Sequence, residues 1–348
     1  GMKRPDAMGI NNEETSPKSY FYDLNGKITY NVTQKDLLSL SIFNGEDNLD
    51  NSRTFSRMGG GASVGGGTTD LSKWGNWGSS LKWSRKWDER SYTNNLISFS
   101  NYFSERNRTN SRSVLRNDES TQFKDGSAEE NELYDYSFKT DNEYKIGQND
   151  QIEYGIHTTL YHIKYDYLIN DTSTILNLKS NAFLGSAYIQ DKITFIEKLH
   201  FLPGVRFSYY QENKKFYSEP RIQASYDLFS HLKLKSSYGI FYQFANRIIR
   251  EDISSGSRDI WVLSDDKTVP VSKSIHYIGG ASYESSNWLF DAECYYKELS
   301  GLSEYSLRFT PRFGKGITYK ELFYTGSGYS RGIDLLVQRK FGKYNGWV

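Results

Sequence analysis

Apolar and polar residues alternate along most of this chain, and helical spacing is nearly absent. Pro203, Val205, Phe207 and Tyr209 take turns with Gly204, Arg206, Ser208 and Tyr210. Ile222, Ala224, Tyr226 and Leu228 then alternate with Arg221, Gln223, Ser225 and Asp227. Leu232, Leu234, Ser236, Tyr238 and Ile240 alternate with Lys233, Lys235, Ser237 and Gly239. Trp288, Phe290, Ala292, Cys294 and Tyr296 alternate with Asp291, Glu293 and Lys297, and Ile152, Tyr154, Ile156 and Leu160 face away from Glu153, His157 and Thr159. Successive side chains of a strand point to opposite faces, so each run predicts a strand with one apolar face.

Between these runs, short polar breaks take turns with longer ones. The short breaks are Asn31 to Asp36, Asp88 to Arg90, Gly147 to Asp150, Glu197-Lys198, Phe229-Ser230, Ser285-Ser286 and Gly342 to Asn345. The longer ones are Leu49 to Gly75, Glu105 to Glu129, Tyr167 to Leu178, Asn213 to Ser218, Phe244 to Val271 and Ser300 to Leu322. A hairpin meander that crosses a membrane puts alternate connections on opposite sides, and outer-membrane barrels have short turns on one side and long loops on the other. Greek-key sandwiches have no reason to keep that order. The predicted fold is therefore all-β, an antiparallel up-and-down meander forming part of a transmembrane β-barrel. It has thirteen strands, with a fourteenth beginning at Gly346. Residues 1–17 are expected to be a separate N-terminal segment, and residues 18–348 the barrel wall.

Composition agrees with a wall of this kind. Tyr (28), Phe (20) and Trp (7) are abundant in 348 residues, while mean hydropathy is only −0.69. A barrel needs an apolar outer face, aromatic girdles and a polar interior, rather than one thick apolar core. No window approaches the ~18 apolar residues of a spanning helix, and a membrane protein without such helices has to pair its backbone groups in a closed barrel. The 43 basic and 42 acidic side chains leave a net charge of +1, which gives no footprint for nucleic acid. With Cys294 alone there is no intrachain disulfide.

The run Leu202-Pro203-Gly204-Val205-Arg206-Phe207-Ser208-Tyr209-Tyr210 is followed by Glu219-Pro220-Arg221-Ile222-Gln223-Ala224-Ser225-Tyr226. Next comes Lys235-Ser236-Ser237-Tyr238-Gly239-Ile240-Phe241-Tyr242-Gln243, then Tyr329-Ser330-Arg331-Gly332-Ile333-Asp334-Leu335-Leu336-Val337-Gln338-Arg339. In this order they resemble barrel strands of TonB-dependent outer-membrane receptors, with a Bacteroidetes-like Tyr- and Asn-rich style. The resemblance covers roughly residues 192–347. It implies a 22-stranded barrel in a Gram-negative outer membrane, an N-terminal plug domain, TonB as energy-coupling partner and, in some receptors, a surface lipoprotein. It also implies uptake of a large nutrient such as an iron chelate, cobalamin, an oligosaccharide or a peptide, with no cofactor. The present residues hold no plug, no coupling box and no closing C-terminal strand, so the chain is expected to be a fragment of the barrel. A plug-free porin or an adhesive barrel is the alternative.

Candidate chemistry is sparse. Arg206, Arg221, Gln223, Asp227, Lys233, Lys235, Asp291, Glu293, Asp334 and Gln338 occupy the polar alternate positions and are expected to line the lumen, where cross-strand ion pairs hold a wide barrel in shape. Trp74, Trp77, Trp83 and Trp87 read as an interface girdle or as loop contacts to a ligand. The glycine cluster Met58 to Thr69 lacks a phosphate-loop ending and reads as an outer loop. His157 and His162 are five apart, which a strand sends to opposite faces, so they form no metal pair. The acidic run Asp118, Glu119, Asp125, Glu129, Glu130 and Glu132 lacks calcium-loop spacing and reads as a solvated loop. No spacing selects a catalytic group, and an enzyme is not expected.

Overall fold

The structure, a computed structural model, describes residues 11–15, 17–59, 62–116, 119–170, 173–250, 258–305 and 323–348. Two short strands, β1 (Asn11–Thr15) and β4 (Arg53–Gly59), accompany β2 (Lys18–Asn31), β3 (Asp36–Asp50) and β5 (Ala62–Lys86) at one end of a large sheet. The sheet continues through β6 (Ser91–Arg116), β7 (Glu119–Lys145), β8 (Asp150–Ile169), β9 (Ser173–Phe195), β10 (Leu199–Tyr210), β11 (Lys215–Phe229) and β12 (Leu232–Gln243). A separate hairpin, β13 (Ala245–Arg250) and β14 (Arg258–Leu263), interrupts the order. The wall then resumes with β15 (Ser272–Glu284), β16 (Trp288–Tyr305), β17 (Phe323–Arg339) and the short β18 (Gly346–Trp347).

Thirteen long strands, β2, β3, β5 to β12 and β15 to β17, thus pair antiparallel in chain order, with β18 beginning another. Every short break named from the sequence is a turn between two of them. The turn geometry follows from local chemistry. At residues 88–91, Asp88 accepts the backbone N–H groups of Arg90 and Ser91, both at 2.7 Å. Those donors hold the Asp88 carboxyl below its ordinary pKa.

The longer breaks depart from the expectation. Most of Leu49 to Gly75 and of Glu105 to Glu129 is strand: β6 and β7 pair from Ser91↔Tyr144 to Arg116↔Glu119. These stretches are polar on both faces, so hydrophobic alternation gave no sign of them, yet backbone pairing requires no apolar residue. The glycine cluster is likewise strand rather than loop at Met58, Gly59 and 62–69, with Gly60 and Gly61 outside the described residues. Gly65 to Gly67 lie between β4 and β6, and the Phe55 ring lies so close to Gly66 that a Cβ there would meet it at 2.8 Å. Asn11–Thr15, inside the expected N-terminal segment, pairs with β4. Most of Ser300 to Leu322 lies outside the described residues.

Register divides the wall into two faces. Ile28, Leu40, Leu81, Ile97 and Phe138 form one cross-strand row on five strands, and all five are exposed. Pro203, Ile222, Tyr238, Tyr277 and Tyr296 continue the same face on β10, β11, β12, β15 and β16. The contiguous apolar surface far exceeds what a soluble monomer exposes. On β3, β5 and β9 the charged residues that bound this face are Asp36 and Glu46, Arg85 and Lys73, and Asp191 and Lys179. Ten to twelve residues of strand, tilted about 45°, give an apolar band roughly 25 Å tall, the height of a bilayer core in such barrels.

Compact packing is concentrated under β13–β14. Ile248, Ile260 and Val262 of the hairpin, with Val269, bury against Tyr165, Tyr167 and Phe323. A neighbouring cluster joins Phe244 and Leu263 to Ile163, Ala182 and Tyr210. Tyr165, Ile163 and Tyr167 share the polar face of the wall, through His157↔Ser186 and Ser186↔Ser208 to Arg206. The hairpin therefore folds onto the polar face, which makes that face the enclosed one.

Candidate functional site

All ten residues expected at polar alternate positions stand on this enclosed face. Arg206 pairs in register with Glu219, two residues from Arg221. Ser225↔Lys235, Lys235↔Gly280, Gly280↔Glu293 and Glu293↔Asp334 carry the same face to β17, and Leu289↔Gln338 places Gln338 there as well. Several of its charges form ion pairs. Arg221 bonds the nearly buried Glu219 at 2.7 Å, Lys235 bonds Asp291 at 2.8 Å and also Glu293, and Asp227 receives Lys233 and His200, each at 3.5 Å. The Arg206 guanidinium lies over the Tyr188 ring. Partly exposed pairs of this kind contribute about 0–1 kcal/mol each, so they set register and cross-strand spacing more than stability.

The four tryptophans separate. Trp83 and Trp87 meet edge to face at 6.5 Å at the short-turn end, with the Arg85 guanidinium 4.4 Å above Trp87. Trp288 stacks on Phe290 at the same end. Trp77 packs on Phe99 at 4.5 Å on the apolar face. Trp74 is on the other face: Trp74↔Ser104 and Ser104↔Asn131 put it with Tyr165. One set of four neighbouring tryptophans thus serves two surfaces, because 74 differs in parity from 77, 83 and 87. On the apolar face a second aromatic row runs Tyr238, Tyr277, Tyr296 and Tyr329, with ring centres 5.3, 6.4 and 6.1 Å apart. Such rows suit the level where lipid meets water.

Trp74 opens into a cavity of about 360 Å³ between β5 to β8 and the hairpin. Its aromatic walls are Trp74, Tyr102 and Tyr165. Arg106 forms a two-pronged bond to Asp70, Nε to Oδ1 at 3.1 Å and Nη2 to Oδ2 at 2.9 Å. Asn131, almost fully buried, accepts the Trp261 backbone N–H at 3.1 Å and so ties the hairpin to the wall. Arg247 of β13 stands over the Tyr102 ring at 5.9 Å. Of these residues Trp74 alone is a candidate on sequence grounds. Asp70 and Arg106 lie 36 positions apart and become neighbours only through the β5–β6 register.

A second loop contact holds the hairpin from above. Asp266 accepts from Asn213 at 2.8 Å and from Lys215 at 2.7 Å, which joins the β10–β11 turn to the segment after β14. Burial raises the Asp266 pKa, but the bonds from Lys215, the Val271 N–H and Asn213 outweigh it and leave the carboxyl below its ordinary value.

His157 and His162 fall on opposite faces, the first beside Thr159 and the second against Asn181 and the Tyr134 ring. Of the acidic run, Asp125 and Glu129 take one face of β7 and Glu130 and Glu132 the other, so they are strand residues rather than one loop cluster; Asp118 lies outside the described residues. No group of three or more potential metal ligands occurs among the described residues.

A meander with one apolar face of bilayer height and one charged face is the wall of an outer-membrane β-barrel. Known structures share it. The chain is similar to the closed form of the ferric-catecholate import receptor Fiu from Escherichia coli K12, with TM-score 0.56 and 7% identity over 98% of this chain and 64% of that one. It is also similar to the outer membrane transporter YddB from Escherichia coli, with TM-score 0.53 and 9% identity over 93% of this chain and 52% of that one. A mutant of the ferric enterobactin receptor PfeA from Pseudomonas aeruginosa gives TM-score 0.53 and 10% identity over 98% and 61%. The chain thus has the barrel fold of TonB-dependent outer-membrane receptors, as the strand motifs suggested, and it spans between about half and two thirds of the length of these neighbours. No protein-family model and no curated protein matches it.

Proposed function

We propose that this chain is the greater part of the barrel wall of an outer-membrane receptor that imports a large nutrient, not of an enzyme. The observation that supports this most directly is the two-faced wall, apolar over a bilayer's height outside and charged inside, with long hairpins standing clear of the membrane on one side only. The ten polar-face residues line the lumen. β2 and β18 each pair with a single neighbour among the described residues. Bare strand edges in lipid leave unpaired backbone groups, so the working barrel draws on further strands. In this reading a plug domain fills the lumen, TonB supplies the energy, lipid covers the apolar face, and the projecting hairpins are where a surface lipoprotein would sit.

The test is uptake by the full-length protein in a Gram-negative host. Expected are recovery in the outer-membrane fraction and nutrient uptake that stops when TonB is deleted. Uptake that continues without TonB would instead identify a passive pore, in which β13–β14 merely narrows the channel.

A further inference from the structure

We infer that the cavity under β13–β14 is a sugar-binding subsite that takes a neutral segment of an oligosaccharide, an inference that rests on the receptor reading above. Three features of the cavity point to this class. First, Trp74 is about one-third exposed and offers an aromatic face inside an otherwise hydrophilic wall, beside the Tyr102 ring that Arg247 covers. The π face carries partial negative charge and attracts the weakly positive C–H face of a pyranose ring. Its place is unusual on this wall, because the neighbouring Trp77 and Trp83 lie on the apolar face.

Second, the Asp70–Arg106 pair presents a carboxylate and a guanidinium side by side in one plane. A carboxylate has about four lone-pair sites, and the two bonds from Arg106 occupy two of them. The oxygens can therefore still accept from hydroxyl groups while remaining fixed by Arg106. Adjacent acceptors at fixed spacing match the vicinal hydroxyls of a sugar, as bidentate groups match other planar partners.

Third, the cavity carries no surplus of positive charge. Asp70, Glu105 and Glu129 stand against Arg106 and Arg247. A multiply anionic iron chelate would meet a wall with one more acid than base, and an apolar macrocycle would have to desolvate five ionic groups. A neutral polyhydroxyl ligand exchanges water hydrogen bonds for protein ones and stacks on the ring. The volume, about 360 Å³, is at the low end for small-ligand pockets, room for a short segment of a longer chain.

The experiment uses the full-length receptor purified in detergent, titrated with a panel of neutral gluco-, manno-, xylo- and galacto-oligosaccharides and, in parallel, with a ferric catecholate. Binding is read by calorimetry and tryptophan fluorescence. Expected is binding of at least one oligosaccharide, weakened about tenfold by Trp74→Ala and by Asp70→Asn but only slightly by Trp74→Phe, as loss of one stacking or bidentate contact predicts. Because Trp74 is partly exposed, neither replacement opens a core. No oligosaccharide binding, binding indifferent to both variants, or a Trp74→Ala effect on the ferric catecholate alone would overturn the inference. If the protein still imports a nutrient in a TonB-dependent way, only the sugar subsite falls; failure to reach the outer membrane would overturn the receptor reading itself.

Discussion

Asp266 shows how single side chains fix this molecule's loops. Its carboxyl binds Asn213 and Lys215 across two connections, and its folded pKa is depressed, so the contact is fully present above the ordinary carboxylate value and is lost as pH falls through the lower folded one. Protection of the amides of residues 264–271, taken relative to the unfolded chain at each pH, should accordingly hold from neutral pH down to the ordinary carboxylate value and fall away only below it. Asp266→Asn should show that loss already at neutral pH, and equal exchange in the two proteins at pH 7 would remove the clasp from the account. Ile260 of β14, nearly inaccessible where the hairpin packs on the wall, makes a second residue-scale case. Ile260→Ala should cost about 2–4 kcal/mol of local packing, seen as protease cleavage within 245–263 while the wall strands remain intact.

At the scale of elements, hydrophobic alternation marked the segments of β8, β10, β11, β12 and β16, because there one face must be apolar, and the order of short and long breaks supplied the count of thirteen long strands. Alternation failed on the upper halves of β5, β6 and β7, where both faces meet water and Arg112, Asp125 and Asn110 alternate with nothing apolar. It also missed β13–β14, whose Ile248-Ile249 and Ile260-Trp261-Val262 are too short for a period to register. The lumen set was legible as a pattern, since parity alone assigns a face. The cavity was not, because Asp70, Trp74, Arg106 and Asn131 meet only through register across two strand pairs. A charge placed on the two faces should act very differently. Ile97→Arg, at mid-band on the apolar face, should destabilise the barrel by about 2–4 kcal/mol, whereas a charge at a lumen position costs little. Ser98→Arg on the adjacent polar face is the control, and heat-dependent gel mobility of the two full-length variants reads the difference. Equal loss of the folded band in both would mean that the faces are not distinct.

For the whole molecule, the polar face, the inward hairpin and the apolar band depend on one claim, that this sheet stands in a bilayer with a single face toward lipid. Strand β12 tests it with the fewest substitutions, once the exposed thiol of Cys294 is removed as Cys294→Ser. Single cysteines introduced in the full-length protein at residues 233 to 238 are labelled with a fluorophore in native outer membrane, and each is exposed in turn to a lipid-borne and a water-borne quencher. The account predicts a period of two: Leu234→Cys, Ser236→Cys and Tyr238→Cys quenched from lipid, Lys233→Cys, Lys235→Cys and Ser237→Cys quenched only from water. Quenching from water at all six positions, without alternation, would contradict it.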